Sequence, residues 1–225
     1  MNPHSDMKIV DSWGKNASQW TAAVREGQIE SRKLVTDKAI VDAVMSHSPE
    51  SVVDIGCGEG WLVRELASRG VRAVGVDAIP ALIDHAKAAG GGDFLVMPYE
   101  AISHELVEAQ FDVAVCNFSL LGKEVVESLF VAVPSLLKPG GVFIVQTLHP
   151  VVMNGNSPYV DGWRGGSWAG FSEEFVDPAP WYFRTVESWR TLFFDSGFAL
   201  REIHEPVNPK TGKPASIIFV GESEI

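Results

Sequence analysis

Only two cysteines, Cys57 and Cys116, occur in the 225 residues, which excludes a disulfide framework and a cysteine-built zinc site. No apolar run approaches the roughly 18 residues of a membrane-spanning helix. Met1–Trp20 lacks the apolar core, about 7–15 residues long, of a secretory signal. Cations are scarce, with 18 Lys and Arg against 29 Asp and Glu and a formal charge of −11. That balance disfavours nucleic acid and anionic membrane surfaces as partners. Internal repeats and low-complexity tracts are missing as well. What remains is 46% hydrophobic and 21% charged, an ordinary globular balance at a length that suits one domain with a modest lid. The expectation is a cytoplasmic protein, monomer or homodimer, that handles a small molecule and holds no metal.

Short apolar runs alternate with helical patterns, the signal for a parallel sheet. Ser51–Ile55 reads as a buried strand stopped by Gly56, and Trp61–Arg69 as a helix closed by Gly70. Arg72–Asp77 is a second strand. Pro80 suits the first position of a helix over Ala81–Ala89, which Gly90-Gly91-Gly92 breaks before a third strand near Phe94–Met97. Phe111–Asn117 is the fourth strand. The pattern Lys123–Leu137 is helical, with a kink or early end expected at Pro134. Pro139-Gly140-Gly141 reads as a stop before a fifth strand, Val142–Leu148.

No period holds from His149 to Phe183. Thr185 then reads as an N-cap, with Trp189, Leu192 and Phe193 on the buried face and Gly197 ending the helix. Phe198–His204 and Ala215–Gly221 form a final pair of strands, antiparallel because the loop between them is too short for a helical crossover.

The sharpest feature is Asp54-Ile55-Gly56-Cys57-Gly58-Glu59-Gly60, set between a strand and a helix. Glycines there allow a tight turn and close approach of a ligand to the backbone, and the helix start offers free N–H groups. Asp77, ending the next strand, is placed to grip a ribose diol. Dinucleotide sites want G-x-G-x-x-G facing a pyrophosphate, whereas this loop reads G-x-G-x-G behind the acid Asp54. A carboxylate there repels a pyrophosphate and attracts an ammonium. The comparison favours S-adenosylmethionine, which carries a sulfonium and an amino-acid end but no phosphate.

Together with Phe111-Asp112-Val113 and Leu137-Lys138-Pro139-Gly140-Gly141, these segments resemble the class I S-adenosylmethionine-dependent methyltransferases over about residues 50–148. The resemblance is to small-molecule members, among them those of ubiquinone and menaquinone biosynthesis and bacterial members with undefined acceptors. It implies a Rossmann-like α/β sheet, mostly parallel with an antiparallel last strand and helices on both faces. It also implies S-adenosylmethionine as cofactor and S-adenosylhomocysteine as product. Carried over, Gly56 and Gly58 pass under the methionine part, Asp77 binds the ribose hydroxyls, Ala78 flanks adenine, and Asn117-Phe118 faces the methionine moiety and reacting methyl. Tyr99 follows the third strand where the family contacts adenine, although Pro98-Tyr99-Glu100 replaces the frequent Asp-Ala pair. Asn117-Phe118 is not the Asn/Asp-Pro-Pro-Tyr/Phe signature of many nucleic-acid and protein amide methyltransferases.

The expected organisation is one domain over 1–225, with an N-terminal helical cover (1–49), the cofactor core (50–148), a lid (149–184), and a closing helix and strand pair (185–225). Trp13, Asn16, Ala17 and Trp20 share one face of a cover helix. Arg32 sits where quinone-biosynthesis relatives often hold the cofactor carboxylate, and the competing reading is a solvated helix beside Glu30 and Lys33. His149, on the rim after the fifth strand and before Pro150, is the first candidate for a base or orienting group. A histidine bracing the lid is the alternative. His204, ending the sixth strand, is the second candidate, while His4, His47, His85 and His104 fall elsewhere. In the lid, Tyr159, Trp163, Trp181 and Tyr182 are candidate substrate contacts together with Trp20, and Arg164 or Arg184 is placed to meet an anionic group. A dinucleotide-dependent oxidoreductase and a non-catalytic S-adenosylmethionine-binding domain are the alternatives to a methyltransferase.

Overall fold

A computed structural model describes residues 4–102, 110–155 and 157–224, so His104 lies outside the described residues. The parallel strands are β1 (Ser51–Ile55), β2 (Arg72–Asp77), β3 (Asp93–Val96), β4 (Phe111–Asn117) and β5 (Leu137–Thr147). They are joined by β8 (Phe198–His204) and β9 (Ile217–Ser223) in a seven-stranded sheet of order β3-β2-β1-β4-β5-β9-β8. β9 pairs antiparallel with both β5 and β8. The reversed strand thus comes last in the chain but lies inside the sheet. β1 is buried along its whole length, as a strand with helices on both faces must be, and that burial is why it reads as an unbroken apolar run.

One face is covered by α3 (Asp37–Met45), α4 (Trp61–Ser68) and α5 (Pro80–Ala89), through Ile40, Val44, Leu62, Leu66 and Ile83. The other is covered by α6 (Glu124–Ala132) and α8 (Val186–Asp195), where Phe130, Phe143, Phe193 and Phe198 pack with ring centroids 5.0–6.0 Å apart. Pro134 ends α6 early: a 3₁₀ turn, Val133–Leu136, carries the chain into β5. β5 begins ahead of the expected stop. Leu137 pairs with Phe111, and a register shift between Phe111 and Val113 takes up Pro139-Gly140-Gly141 as an irregularity within the strand. Thr185 caps α8 by accepting from Ser188 N.

The cover and the lid differ from their sequence readings. The cover is two helices, α1 (Asp6–Lys15) and α2 (Ala17–Arg25), broken at Asn16. The lid contains a short helix, α7 (Pro150–Met153), and a two-stranded hairpin of β6 (Gly162–Arg164) and β7 (Trp181–Phe183). Three-residue strands are too short to show a period. Asn16, fully buried, joins the two regions: its Nδ2 donates to Ser12 O and Val176 O, and its Oδ1 accepts from Val176 N, each at 2.8 Å. Beside it, Trp13 stacks edge-on against Trp20 and Trp168, at 4.9 and 5.6 Å. No helix among the described residues is long and apolar enough to cross a membrane.

Replacing Asn16 with Ala strands the Val176 amide and carbonyl without the partner side chain, at a cost of roughly 2 kcal/mol. The variant should melt about 4–8 °C below wild type and be cleaved faster between Trp168 and Asp177 under limited proteolysis. An unchanged melting curve would show that the aromatic contacts alone hold the lid.

Candidate functional site

The order β3-β2-β1-β4-β5 reverses direction between β1 and β4, and the loops leaving these two strands diverge. Ligands of open parallel sheets enter at such a reversal, beyond the carboxyl ends of the strands. Gly56 begins the β1 loop at φ +78°, and a Cβ there would lie 2.3 Å from Ser119 Cβ in the β4 loop. Ser119 Oγ donates to Ile55 O at 2.7 Å, so the two loops touch at their base before they part. The amides of Gly56 and Cys57 both donate to Val76 O, at 2.8 and 3.0 Å, which turns the loop over β2. At the end of β2, Asp77 accepts Gly58 N at 2.9 Å and Ile79 N at 2.8 Å.

Above these loops lies a cavity of about 1190 Å³. Its floor is made of Gly56, Cys57, Gly58, Asp77, Ala78, Tyr99, Asn117 and Phe118, and its roof of Trp13, Trp20, Trp168 and Phe171 with one side of α1. The volume exceeds the upper range of about 1,000 Å³ for a single-ligand site, leaving room for two reactants. Asp54 is buried behind the floor, and its Oδ1 has no hydrogen-bond partner. Burial, reinforced by Asp77 and opposed by Arg32, pushes the Asp54 carboxyl up to about 8. Burial also raises Asp77, against the opposing pull of the Ile79 and Gly58 amides. Tyr99 is held well above the usual phenol range by burial while its hydroxyl donates to Ser119 O at 3.0 Å.

Residues 52–141 match the family described as "Methyltransferase domain". The ubiquinone biosynthesis O-methyltransferase of Methylococcus capsulatus is 30% identical over 146 residues, covering 62% of this chain and 61% of that enzyme. The chain thus spans about three fifths of the length of that curated relative. A crystal structure of an S-adenosylmethionine-dependent methyltransferase from Mesorhizobium loti superposes with TM-score 0.62 at 24% identity, covering 80% of this chain and 95% of that one. Burkholderia thailandensis 1,6-didemethyltoxoflavin-N1-methyltransferase, crystallised with 1,6-didemethyltoxoflavin and S-adenosylhomocysteine, superposes with TM-score 0.64 at 16% identity, over 92% and 86% of the two chains. Residues 52–141 carry a methyltransferase domain, in a fold shared with S-adenosylmethionine-dependent methyltransferases.

Within the methyltransferase domain, the expected floor residues come together on one wall. Arg32 is not on a solvated helix, which corrects that reading. It opens a π-helical turn, Arg32–Thr36, on the cavity wall, bonded to Asp37 at 2.9 Å with its guanidinium 4.7 Å from the Trp61 ring centre. The two histidines do not line the cavity. His149 N-caps α7 and turns its buried ring to Glu205, with Nε2 2.7 Å from Oε1. His204 is exposed on edge strand β8, paired with Glu202 at 2.8 Å.

Most of the expected substrate side chains lie elsewhere too. Tyr159 accepts Val186 N, Trp163 packs on Tyr182, and Arg164 covers Phe183. Trp181 and Tyr182 border a separate small cavity with Leu148 and Trp189. Arg184 donates inward to the carbonyls of Gly122 and Lys123. The hairpin pairs Gly162–Arg164 with Trp181–Phe183 and commits those residues to each other, so the segment between its strands supplies Trp168 and Phe171 to the roof instead. Of the expected substrate residues, Trp20 alone lines the large cavity.

Two parts of the site were not read from sequence. Asp6 starts α1 and accepts from Lys123 N and Val125 N, at 2.9 and 3.0 Å, which holds α1 against the start of α6. Glu59 inside the glycine loop is buried between Arg25 of α2 and Arg64 of α4, each 2.7 Å away, and ties the cover to the loop. A charged residue at a glycine-loop position was the available signal, but its partner on α2 lies far off in sequence.

An unfolded Asp54 ionises near about 3.9, whereas the folded one keeps its proton to about 8. The native state therefore binds an extra proton between those limits. As pH rises through that window, stability falls by up to about 1.4 kcal/mol per unit. Asp54→Asn should melt higher than wild type at about pH 8, and decline less between about pH 5 and 8, in calorimetric scans. Superimposable profiles would mean that Asp54 is ionised throughout.

Proposed function

We propose that the protein transfers a methyl group from S-adenosylmethionine to a small-molecule acceptor by in-line displacement. The observation that carries this reading is one large cavity whose floor is the glycine loop, Asp77 and the end of β4, with the unpartnered Asp54 carboxyl behind it. S-adenosylmethionine fits that donor set. Each Asp77 oxygen spends one lone pair on a backbone amide and keeps another for a ribose hydroxyl. Asp54 offers a carboxyl that a nearby ammonium would satisfy and ionise. A dinucleotide pyrophosphate would meet that acid only in its protonated form and gain no charge pairing from it, which favours the ammonium-bearing cofactor over the oxidoreductase alternative.

In this reading Gly56 and Gly58 underlie the methionine part, Asp77 holds the ribose, Ala78 and Tyr99 flank adenine, and Asn117, Phe118 and Arg32 face the amino-acid end. Bound S-adenosylmethionine supplies an electrophilic methyl on a sulfonium. The walls contribute orientation, a factor that can supply about 7–11 kcal/mol. No histidine lines the cavity among the described residues, and His149 serves as a brace for the loop that carries Glu205. Trp13, Trp20, Trp168 and Phe171 exclude water and shape an apolar acceptor space. The curated relative is an O-methyltransferase of ubiquinone biosynthesis; a small organic acceptor is the reading it supports here. The charge of −11 supports a small acceptor over nucleic acid. Cover, core and lid act as a single unit around the cavity.

Thermal-shift comparison with S-adenosylmethionine, S-adenosylhomocysteine, NAD and NADP tests the cofactor. At about 100 times its dissociation constant a ligand adds roughly 2.7 kcal/mol, or about 5–10 °C for a chain of this length. The two adenosyl compounds should give that shift and the dinucleotides none; the reverse pattern would sink the proposal. In the Asp77→Ala variant, S-adenosylhomocysteine affinity by calorimetry should fall at least tenfold, and an unchanged value would remove Asp77 from the ribose site.

A further inference from the structure

Gln146 lies on β5 beside Asn117 of β4 and Ile218 of β9, and is 1% exposed. The direction of its side-chain amide follows from its neighbours. One amide atom lies 3.1 Å from the main-chain carbonyl of Thr36. A carbonyl oxygen only accepts, so the atom facing it is the donor Nε2. The same Nε2 lies 2.6 Å from the Asn117 side chain. Its second hydrogen points there, and the Asn117 atom that receives it is Oδ1. On the far side, Gln146 Oε1 accepts from the Ser216 hydroxyl at 3.0 Å; a hydroxyl can serve either way and leaves the assignment intact.

The polarity of this chain of amides is therefore set by one backbone carbonyl, at the end of the π-helical turn that Arg32 begins. The main chain beside these amides is held as well, since Phe118 N donates to Gln146 O at 2.8 Å where Phe118 takes φ +55°. With Oδ1 of Asn117 turned inward, the end left for the cavity is the Nδ2 amino group, a donor. Asn117 is half-buried on the cavity floor.

We propose that Gln146 is a positioning residue that fixes Asn117 as a hydrogen-bond donor at the reacting end of the cavity, where it meets a negatively polarised oxygen of the bound reactants. This inference builds on the methyl-transfer reading. The oxygen belongs either to the carboxylate of the cofactor's amino-acid end or to the acceptor, where it would mark an oxygen nucleophile. An acceptor amine, which needs its own N–H groups received, finds the wrong end of Asn117. Gln146→Glu reverses the logic: a carboxylate there donates to neither Thr36 O nor Asn117, so Asn117 turns its amino group inward and its oxygen to the cavity. Asn117→Asp presents an oxygen directly, from a half-buried position that disturbs packing less.

The experiment follows the Asn117 side-chain NH₂ resonances in protein labelled with ¹⁵N-asparagine. Ligands are S-adenosylhomocysteine, 5′-methylthioadenosine (which lacks the amino-acid end), and 4-nitrocatechol added to the S-adenosylhomocysteine complex. A shift with S-adenosylhomocysteine but not with methylthioadenosine assigns the oxygen to the cofactor carboxylate. Asn117→Asp and Gln146→Glu should then weaken S-adenosylhomocysteine at least tenfold while methylthioadenosine stays within twofold, a split that general damage to the fold would not produce. A shift only on adding 4-nitrocatechol assigns it to the acceptor, and both variants should then lose nitrocatechol affinity alone. No shift with any ligand, or variants that bind all three as wild type does, overturns the proposal. Should the wild-type protein bind neither adenosyl compound, the methyl-transfer reading itself fails.

Discussion

The point on which the architecture turns is the missing side chain at Gly56. Because nothing projects there, Ser119 can close against the end of β1 and donate to Ile55 O, and Tyr99 can reach across to Ser119 O from beyond β3. Three strand ends are thus tied within a few ångströms, below the level at which their loops separate. Any side chain at that position would force the β1 and β4 loops apart at their root. The cavity is the space above the tie. Next to the tie the floor is backbone and small residues, Gly56, Cys57 and Gly58, while Tyr99 and Phe118 enter it from the neighbouring strand ends.

The floor and the roof answer to different physics. The floor belongs to the sheet, and its acids are buried far enough to carry unusual proton affinities. The roof is a loose assembly of rings from α1, α2 and the lid, held by one buried asparagine, the Glu59 charge cluster and the capping carboxylate Asp6. Half-buried Lys8 and exposed Lys15 converge on Asp177 of the lid, but such pairs near the surface contribute little. The roof's order therefore comes from those buried polar ties and from ring packing that a ligand beneath it would extend.

This division decides what could be read from the sequence. The strands of the floor are short unbroken apolar runs and its loops follow them directly, so spacing marked Gly56, Gly58 and Asp77, the family resemblance added Ala78, Tyr99, Asn117 and Phe118, and all seven line the cavity. The roof was legible only as a density of aromatics. Nothing local says that Asn16 will interrupt a helical stripe, because its side chain is claimed by Val176 across the fold. Nor does local pattern separate Trp168, which turns inward, from Trp163, which a three-residue hairpin turns away. For His149, local sequence left an orienting group and a lid brace both open, for a similar reason. The rim position was right, but Glu205, arriving from the far end of the chain, captures the ring.

The placement of β9 bears on how the protein is made. β5 ends at Thr147, and the strand that covers its open edge starts only at Ile217, after the whole lid, α8 and β8 have been synthesised. β8 cannot substitute, since it reaches the sheet only through β9. A nascent chain therefore carries an uncovered, strongly apolar strand edge during much of its emergence, the condition under which strands pair with wrong partners. Closing that edge by a contact so distant in sequence is slow by loop entropy. In vivo yield of this protein should depend on how quickly its final strand arrives, more than on the stability of the finished sheet.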